Sequence, residues 1–161
     1  MILATLFNRW VETDPNSVHH GADLPDEGVA IDIDGHVFNQ FVKDRGWWEW
    51  EWEDTGRTVA IPLALRFAFK EVEARCAMAE KAVAAYKETE RKFHDVAAKD
   101  PATAWWPGGA TPGSLTDKVE ADKWEKALDT SHRAELEAWR LRDEAVDKLN
   151  RLAEPLLKVV A

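Results

Sequence analysis

A helical pattern fills most of the chain beyond residue 62 and limits what the chain can fold into. Apolar side chains recur there in alternating steps of four and three residues, interrupted at Glu90. The positions are Leu65, Phe69, Val72, Cys76, Ala79, Val83, Tyr86, Glu90, Phe93 and Ala97. This cadence is typical of an α-helix that packs lengthwise on another helix. Because Pro62 suits a first helical turn and Asp100-Pro101 stops a helix, we predict one helix over about 63–99.

A second amphipathic segment follows a turn-rich loop at 100–114, which reads DPATAWWPGGATPGS. Ser114 and Asp117 resemble a capping box, so we predict a second helix over about 115–153. Its apolar seam comprises Ala127, Ser131, Ala134, Ala138, Leu141, Ala145, Leu149 and Leu152. Pro155 is predicted to break or kink the end of this helix and to leave LLKVV as a short apolar tail. Two helices of similar length joined by a loop predict an antiparallel, coiled-coil-like hairpin.

Each predicted helix carries a second apolar stripe in addition to its seam. The members are Ala74, Met78, Ala82 and Ala85 on the first helix, and Trp124, Leu128, Leu136, Trp139 and Val146 on the second. A two-helix hairpin has only one internal interface, so the rest of the chain or another molecule has to cover these stripes. The surplus apolar surface predicts a homo-oligomer or a protein partner.

The first 62 residues show shorter apolar segments separated by turn signals. Apolar residues spaced through 2–12 predict a short amphipathic N-terminal helix, and NSVHHGADLPDEG then indicates a loop. Beyond it, Asp34-Gly35 is a hairpin signal, and two further turn signals follow at KDRG and DTG. We predict a four-stranded antiparallel meander with strands at about 29–33, 36–42, 47–53 and 57–61. The whole chain is therefore predicted to be α+β, with an acidic, Trp-rich part at 1–62 and a helical hairpin at 63–161.

The stretch GWWEWEWED at 46–54 places four tryptophans among glutamates. As a strand it separates them, because side chains alternate between the two faces. One face then carries Trp48, Trp50 and Trp52, and the other carries Trp47, Glu49, Glu51 and Glu53. The face with three tryptophans is either the core side of the sheet or a recognition surface, and the sequence leaves both readings open.

The charge of the chain is concentrated at its N-terminal end. The net charge is −9; residues 1–62 hold 12 acidic and 4 basic side chains, and residues 63–161 hold 18 and 17. An acidic region repels a phosphate backbone, so we expect no direct nucleic-acid binding. The same region would attract a basic partner, would mimic nucleic acid, or would simply keep the protein soluble.

The stretch GVAIDIDGHVF at 28–38 resembles the first motif of the haloacid-dehalogenase-like phosphatases, a hydrophobic strand followed by Asp-x-Asp-Gly-Thr. The resemblance would make Asp32 a nucleophile and Asp34 an acid/base, with His36 in place of the family's threonine. That family also needs a parallel sheet, a later lysine and further acidic metal ligands, and the helical pattern beyond Pro62 leaves no strands for them. An Asp-Gly hairpin turn explains the same residues, so we predict no catalytic site.

Metal and cofactor signals are weak throughout the sequence. His19-His20 with Asp23 supplies no third convergent ligand, and Cys76 lies on a helical seam where packing is its expected role. PGGATPG has neither the lysine nor the preceding strand of a phosphate-binding loop. We therefore expect no metal and no cofactor.

Together these features predict a non-enzymatic protein-binding or assembly subunit, and the size and composition favour a phage structural or accessory protein. The candidate partner contacts are Trp47, Glu49, Glu51, Glu53, Trp105, Trp106 and Trp139. Two alternatives stay open, namely an acidic nucleic-acid mimic that inhibits host defence and a protein that sequesters a small ligand such as a nucleotide. The N-terminus has no basic leader or cleavage signal, and no apolar run is long enough for a membrane span, so we expect a cytoplasmic location, in the host or the virion for a phage protein.

Overall fold

The computed structural model describes residues 1–11, 23–44 and 48–161, and the side chains at 8–11, 23–27, 41–44 and 48–50 lie outside that description. Four strands precede two helices. The strands are β1 (Ala4–Val11), β2 (Asp23–Ile31), β3 (His36–Asp44) and β4 (Trp48–Thr58), and the helices are α1 (Leu63–Ala97) and α2 (Lys118–Val160). The predicted α+β class, with an antiparallel sheet followed by two packed helices, is confirmed.

The sheet is a meander in the order β1-β2-β3-β4, and all three strand pairs are antiparallel. The predicted N-terminal helix at 2–12 is wrong, because most of this stretch forms the edge strand β1, in which Ala4 pairs with Ile31 and Trp10 with Leu24. Apolar residues there fit both a helical and an extended period, and pairing with a distant segment decides between them.

The predicted fourth strand at 57–61 is also wrong. Its first two residues, Arg57 and Thr58, are instead the last two residues of β4. The expected turn at Asp54-Thr55-Gly56 is a bulge inside that strand. Gly56 takes a left-handed backbone conformation with φ of 70°, and the Thr55 hydroxyl donates to the Val37 carbonyl at 2.8 Å. A bulge lets the strand bend without ending, which is why turn residues occur within it. The expected turn at KDRG falls partly on residues 45–47, outside the described residues.

The loop between β2 and β3 is one residue longer than the predicted two-residue turn. The Gly35 amide donates to the Asp32 carbonyl at 3.1 Å, the Asp32 amide donates to the His36 carbonyl at 3.2 Å, and Gly35 has φ of 89°. These bonds describe a three-residue hairpin loop that ends in a left-handed glycine. A Cβ at Gly35 would lie 2.0 Å from the Val59 carbonyl oxygen, so no other residue fits there.

The change of period at Pro62 is confirmed, since α1 begins at Leu63. The predicted seam of α1 faces inward. Leu65, Phe69, Val72, Ala79, Phe93 and Ala97 are buried, and Cys76, Val83, Tyr86 and Glu90 are half-buried. The rings of Tyr86 and His132 lie 5.2 Å apart, and those of Phe93 and Trp124 lie 6.0 Å apart, so contacts advance along the two helices in opposite directions.

The end of α2 differs from the prediction. The helix continues through Pro155 to Val160, so LLKVV forms its last turns instead of a separate tail. The inward positions continue in steps of four through Leu149, Ala153 and Leu157, whereas the predicted seam residue Leu152 is 46% exposed. A heptad would alternate steps of four and three residues. Because the steps here stay at four, the buried positions near the end of α2 fall one residue later than a heptad predicts.

The chain divides into two compact units. One unit comprises Met1–Glu73 and Ala145–Ala161, and its core joins sheet residues such as Ile31 and Val37 to helix residues such as Phe69 and Leu149. The other unit is Ala74–Glu144, a helical hairpin with its connecting loop. Its main cluster of buried residues is Phe93, Ala97, Leu115 and Ala121, against which Trp124 and Leu128 pack. Among the described helices, none has the length and apolarity needed to span a membrane.

Candidate partner-binding site

The loop at the tip of the helical hairpin, residues 98–117, is held together by Asp100. Its carboxylate accepts hydrogen bonds from the amide and the hydroxyl of Thr116 and from the amide of Ala102, each at 2.8 Å. Although partial desolvation opposes ionisation, the bonds from Thr116 and Ala102 hold the pKa of the Asp100 carboxyl below its usual value. One side chain thus joins the two ends of the tip loop.

Two further side chains fix the helix ends on either side of the tip loop. Thr103 is buried, and its hydroxyl donates to the carbonyl of Ala97 at 2.7 Å, which satisfies a group at the C-terminus of α1. Asp117 accepts from the amides of Val119 and Glu120 at the start of α2. The predicted capping box of Ser114 with Asp117 is therefore wrong, because Asp117 itself caps α2 and Ser114 bonds to Thr111.

The tip loop displays two tryptophans on its surface. Trp105 is 80% exposed and Trp106 is 62% exposed, and their ring centroids lie 6.0 Å apart with a tilt of 37° between the planes. The indole N–H of Trp105 donates to the carbonyl of Ala102 at 3.0 Å. A Cβ added at Gly109 would lie 2.6 Å from three atoms of the Trp106 ring, so this ring rests directly on the glycine. Both indoles are therefore positioned by the loop without being buried.

The stretch of sequence that carries this tryptophan pair has no charged side chain, although Lys118, just beyond it, donates to the Gly113 carbonyl at 3.4 Å. Residues 101–116 include no Asp, Glu, Lys, Arg or His, although 32% of the whole chain is Asp, Glu, Lys or Arg. The helices beyond the loop are different, because exposed ion pairs cover them, such as Arg91 with Glu88 and Arg133 with Asp129. An uncharged, aromatic stretch within the tip loop of a charged hairpin is the kind of surface patch that marks a contact with another molecule.

The predicted contacts on β4 are only partly described. Trp47 lies outside the described residues, and Glu49 lies in β4 but its side chain is outside the description. Glu53 is exposed and Glu51 is half-buried. Glu51 is opposite Phe41 and Glu53 is opposite Asn39 in the strand register. These glutamates lie well apart in sequence from the tip pair.

Trp52 has a packing role. It lies opposite Gln40, its ring centroid is 6.0 Å from that of Phe7, and a Cβ at Gly28 would approach its ring to 2.8 Å. The ring therefore fills the space above a glycine in the sheet. The side chains of its two sequence neighbours on the same strand face, Trp48 and Trp50, lie outside the description.

Trp139 on α2 is half-buried, and the Arg142 guanidinium carbon lies 4.2 Å from its ring centroid. This cation–π contact covers part of the indole. The remaining residues of the two predicted stripes are mixed. Met78 and Leu136 are exposed, whereas Ala82, Leu128 and Val146 are half-buried. The stripes are thus incompletely covered, and the expectation that a second molecule covers them stays a prediction.

Asp32 and Asp34 lie in the antiparallel hairpin loop between β2 and β3, so they do not follow a parallel strand as the phosphatase resemblance would require. The Asp32 carboxylate accepts from the amides of Asp34 and His36 and pairs with His36 Nδ1, each at 2.9 Å. Although burial opposes it, bonding from His36 lowers the pKa of Asp32, and bonding to Asp32 raises the pKa of His36, with Asp54 and Asp34 adding to the rise. Asp32 therefore stabilises the turn through these hydrogen bonds.

A cleft of about 340 Å³ lies beside this turn. It is lined by Met1, Ile2, Asp32, Ile33, Asp34, Phe69 and Glu73. The small-ligand alternative predicts a pocket lined by tryptophan and arginine, and this cleft has neither. Among the described residues, no group of three or more His, Cys, Asp or Glu side chains could hold a metal ion. The predicted weak pair His19-His20 lies outside the described residues.

Sequence reasoning identified Trp105 and Trp106 because a loop offers little cover for indoles. It missed the features that fix their positions, namely the bonds made by Asp100 and Thr103 and the contact between Trp106 and Gly109. One signal was readable in advance, since sixteen consecutive uncharged residues are unusual in so charged a chain. Comparisons with known proteins found no matching family model, no matching curated protein and no matching solved structure.

Proposed function

We propose that this protein is a non-enzymatic binding subunit that attaches to another protein through Trp105 and Trp106. The observation that carries the proposal is the exposure of both indoles on a loop whose own hydrogen bonds fix it. Neither indole is buried in the core of the hairpin. Tryptophan is also one of the residue types enriched at the energetic centre of protein interfaces.

The hydrogen bonds within the loop support a role in binding. Association loses free energy when mobile side chains and loops become ordered. In the tip loop, Asp100 already links the two ends, and Gly109 already supports one ring. A partner that covers the tryptophan pair would therefore gain the apolar contact of two large rings at a small ordering cost.

Assembly with further copies is a second part of the proposal. Met78 and Leu136 are exposed on the hairpin, and Trp139 is half-buried beneath Arg142. A neighbouring subunit would cover such residues. The nucleic-acid mimic is less favoured, because it would display Asp32 with the other carboxylates, whereas Asp32 is bonded to His36 within its own turn.

The test is affinity capture from lysate of the source cells with three forms of the protein. These are the native protein, the double variant Trp105→Ala/Trp106→Ala, and the control Val119→Ala, which removes another exposed apolar side chain next to the same loop. We expect one protein to be retained in fixed ratio by the native protein and the control and to be lost with the double variant. Equal retention by all three forms, or retention of no protein, would refute the proposal.

The assembly part has its own test, the mass of the purified protein in solution measured by sedimentation over a range of concentrations. We expect a mass above that of one chain and a decrease when Leu136→Glu introduces a charge on the exposed face. A single-chain mass at every concentration would contradict assembly and would leave the tip proposal intact.

A further inference from the structure

We propose that the segment recognised by Trp105 and Trp106 is an uncharged, proline-rich stretch in polyproline II conformation. This inference rests on the proposed function and names the chemistry of its partner. It follows from the hydrogen-bonding capacity of the tryptophan pair, from the lack of charged side chains within residues 101–116 and from the way each ring is held.

The tip offers two exposed aromatic surfaces and one free indole donor. The Trp105 N–H is already bonded to the Ala102 carbonyl, whereas within the described residues the Trp106 N–H has no acceptor. A polyproline II segment has no internal hydrogen bonds, so its carbonyl groups are open to such a donor, and its rings pack on aromatic side chains. An α-helix offers carbonyls only in its last turn, and an added β-strand needs a row of backbone partners.

The lack of charged side chains in residues 101–116 disfavours charged ligands that also stack on tryptophan. A nucleotide or a single-stranded nucleic acid needs cations for its phosphates. Residues 101–116 contain none, and the adjacent Lys118 is bonded to the Gly113 carbonyl at 3.4 Å. The carboxylate nearest to the pair in sequence, Asp100, has both oxygens bonded to Thr116 and Ala102 within the loop. The surface therefore fits a ligand without formal charge.

Residues of the tip loop fix the positions of the two rings. Trp106 rests on Gly109, where a Cβ would collide with three ring atoms, and the residue is 62% exposed. Pro107 and Pro112 each begin a short 3-10 turn beside the rings, which limits the conformations of the loop. A stiff ligand meeting a stiff surface loses little conformational entropy on binding.

The inference is tested by nuclear magnetic resonance of the indole N–H groups in the full chain. The probe is a capped oligoproline peptide of about ten residues, and the control is a Gly-Ser peptide of equal length. We expect the Trp105 and Trp106 signals, assigned with single Trp→Phe variants, to shift in a saturable way with oligoproline and to stay fixed with the control.

Two glycine variants make the test specific. Gly109→Ala would displace the Trp106 ring, whereas a Cβ at Gly108 meets nothing within 4 Å. We expect Gly109→Ala to weaken oligoproline binding several-fold and Gly108→Ala to leave it unchanged, with both variants folded by their thermal midpoints. Trp106→Phe, which keeps a ring and removes the donor, should also weaken binding several-fold.

The outcomes separate this inference from the proposed function. One outcome is that neither indole signal shifts with oligoproline at millimolar concentration while capture of a protein still depends on Trp105 and Trp106. In that case the proline-rich partner is wrong and the proposed function stands. If the two signals respond instead to an amphipathic helical peptide or to neutral lipid vesicles, the inference is likewise overturned. If capture itself does not depend on the two tryptophans, both proposals fail.

Discussion

Trp52 and Trp106 both lie over a glycine, and they differ in what covers them. A Cβ at Gly28 would lie 2.8 Å from the Trp52 ring, and one at Gly109 would lie 2.6 Å from the Trp106 ring. In the sheet, Phe7 packs beside Trp52, which is half-buried. On the hairpin tip, the neighbour of Trp106 is Trp105, which is more exposed still. The same glycine contact thus holds a half-buried ring on the sheet in one region and an exposed ring on the tip loop in the other.

The largest expected difference between the two regions is in stability after removal of the ring. Trp52→Ala should lower the free energy of unfolding by about 2–3 kcal/mol, since it empties a half-buried position between Phe7 and Gly28. Trp106→Ala should change it by about 0.5 kcal/mol or less, as exposed positions do. Denaturant titration of both variants measures the difference. Equal losses of stability would mean that the tip indole also serves folding.

The two glycines provide a smaller and sharper comparison. Gly28→Ala places a Cβ within 3.0 Å of Trp52, Gln40 and Phe7, and should cost about 1–3 kcal/mol through overpacking. Gly109→Ala should cost less than about 1 kcal/mol, because the exposed Trp106 ring can move aside. Thermal unfolding of the two variants, with Gly108→Ala as the control, tests this order. A larger loss at Gly109 would show that the ring on the tip is as fixed as the one in the sheet.

The tip loop itself is expected to loosen when Thr103 loses its hydroxyl. Thr103→Val keeps the buried volume and removes the bond to the Ala97 carbonyl, which should cost about 1 kcal/mol. Hydrogen exchange should then speed up in residues 101–116 and stay unchanged in the sheet. Thr130→Val, at an exposed position on α2, is the matched control. Unchanged exchange in the loop would mean that Thr103 does not help to fix the two tryptophans.

The smallest expected effect is a dependence on pH in the turn between β2 and β3. His36 has a raised pKa, so its contribution is present below its usual value of 6.5 and is lost as the pH rises through the raised value. Asp32 has a lowered pKa, so its contribution is lost only as the pH falls below its usual value of 3.8. The thermal midpoint of native protein minus that of His36→Asn should therefore be greatest between these limits. A difference that grows from neutral to alkaline pH would contradict the ion pair.

The helical hairpin was predictable from sequence because each of its signals is local. The steps of four and three residues in α1 need only helix geometry and burial, and every member of that seam is buried or half-buried. The end of α2 was less predictable. Continuation of the helix through Pro155 depends on tertiary packing of Leu157 and Val160, which outweighs the local cost of proline.

The sheet was less predictable because its strands depend on distant partners. Residues 4–11 form a strand only through pairing with 23–31, and no local pattern specifies that pairing. Pro25 also suggests a loop, yet it lies in β2 at the register shift between Asn8 and Trp10, where an unpaired residue is tolerated. At the candidate site, sequence indicated the exposed tryptophans, whereas the support from Gly109 required the folded loop.

We propose that Trp105 and Trp106 are held on the surface for a partner and not for folding. The most direct measurement is the ratio of dissociation constants for the captured partner between Trp105→Ala/Trp106→Ala and native protein, at a temperature where both are fully folded. Because the loss of even one interface hot spot costs about 2 kcal/mol or more, removing both side chains should weaken binding at least about thirtyfold. A ratio near one would contradict the account.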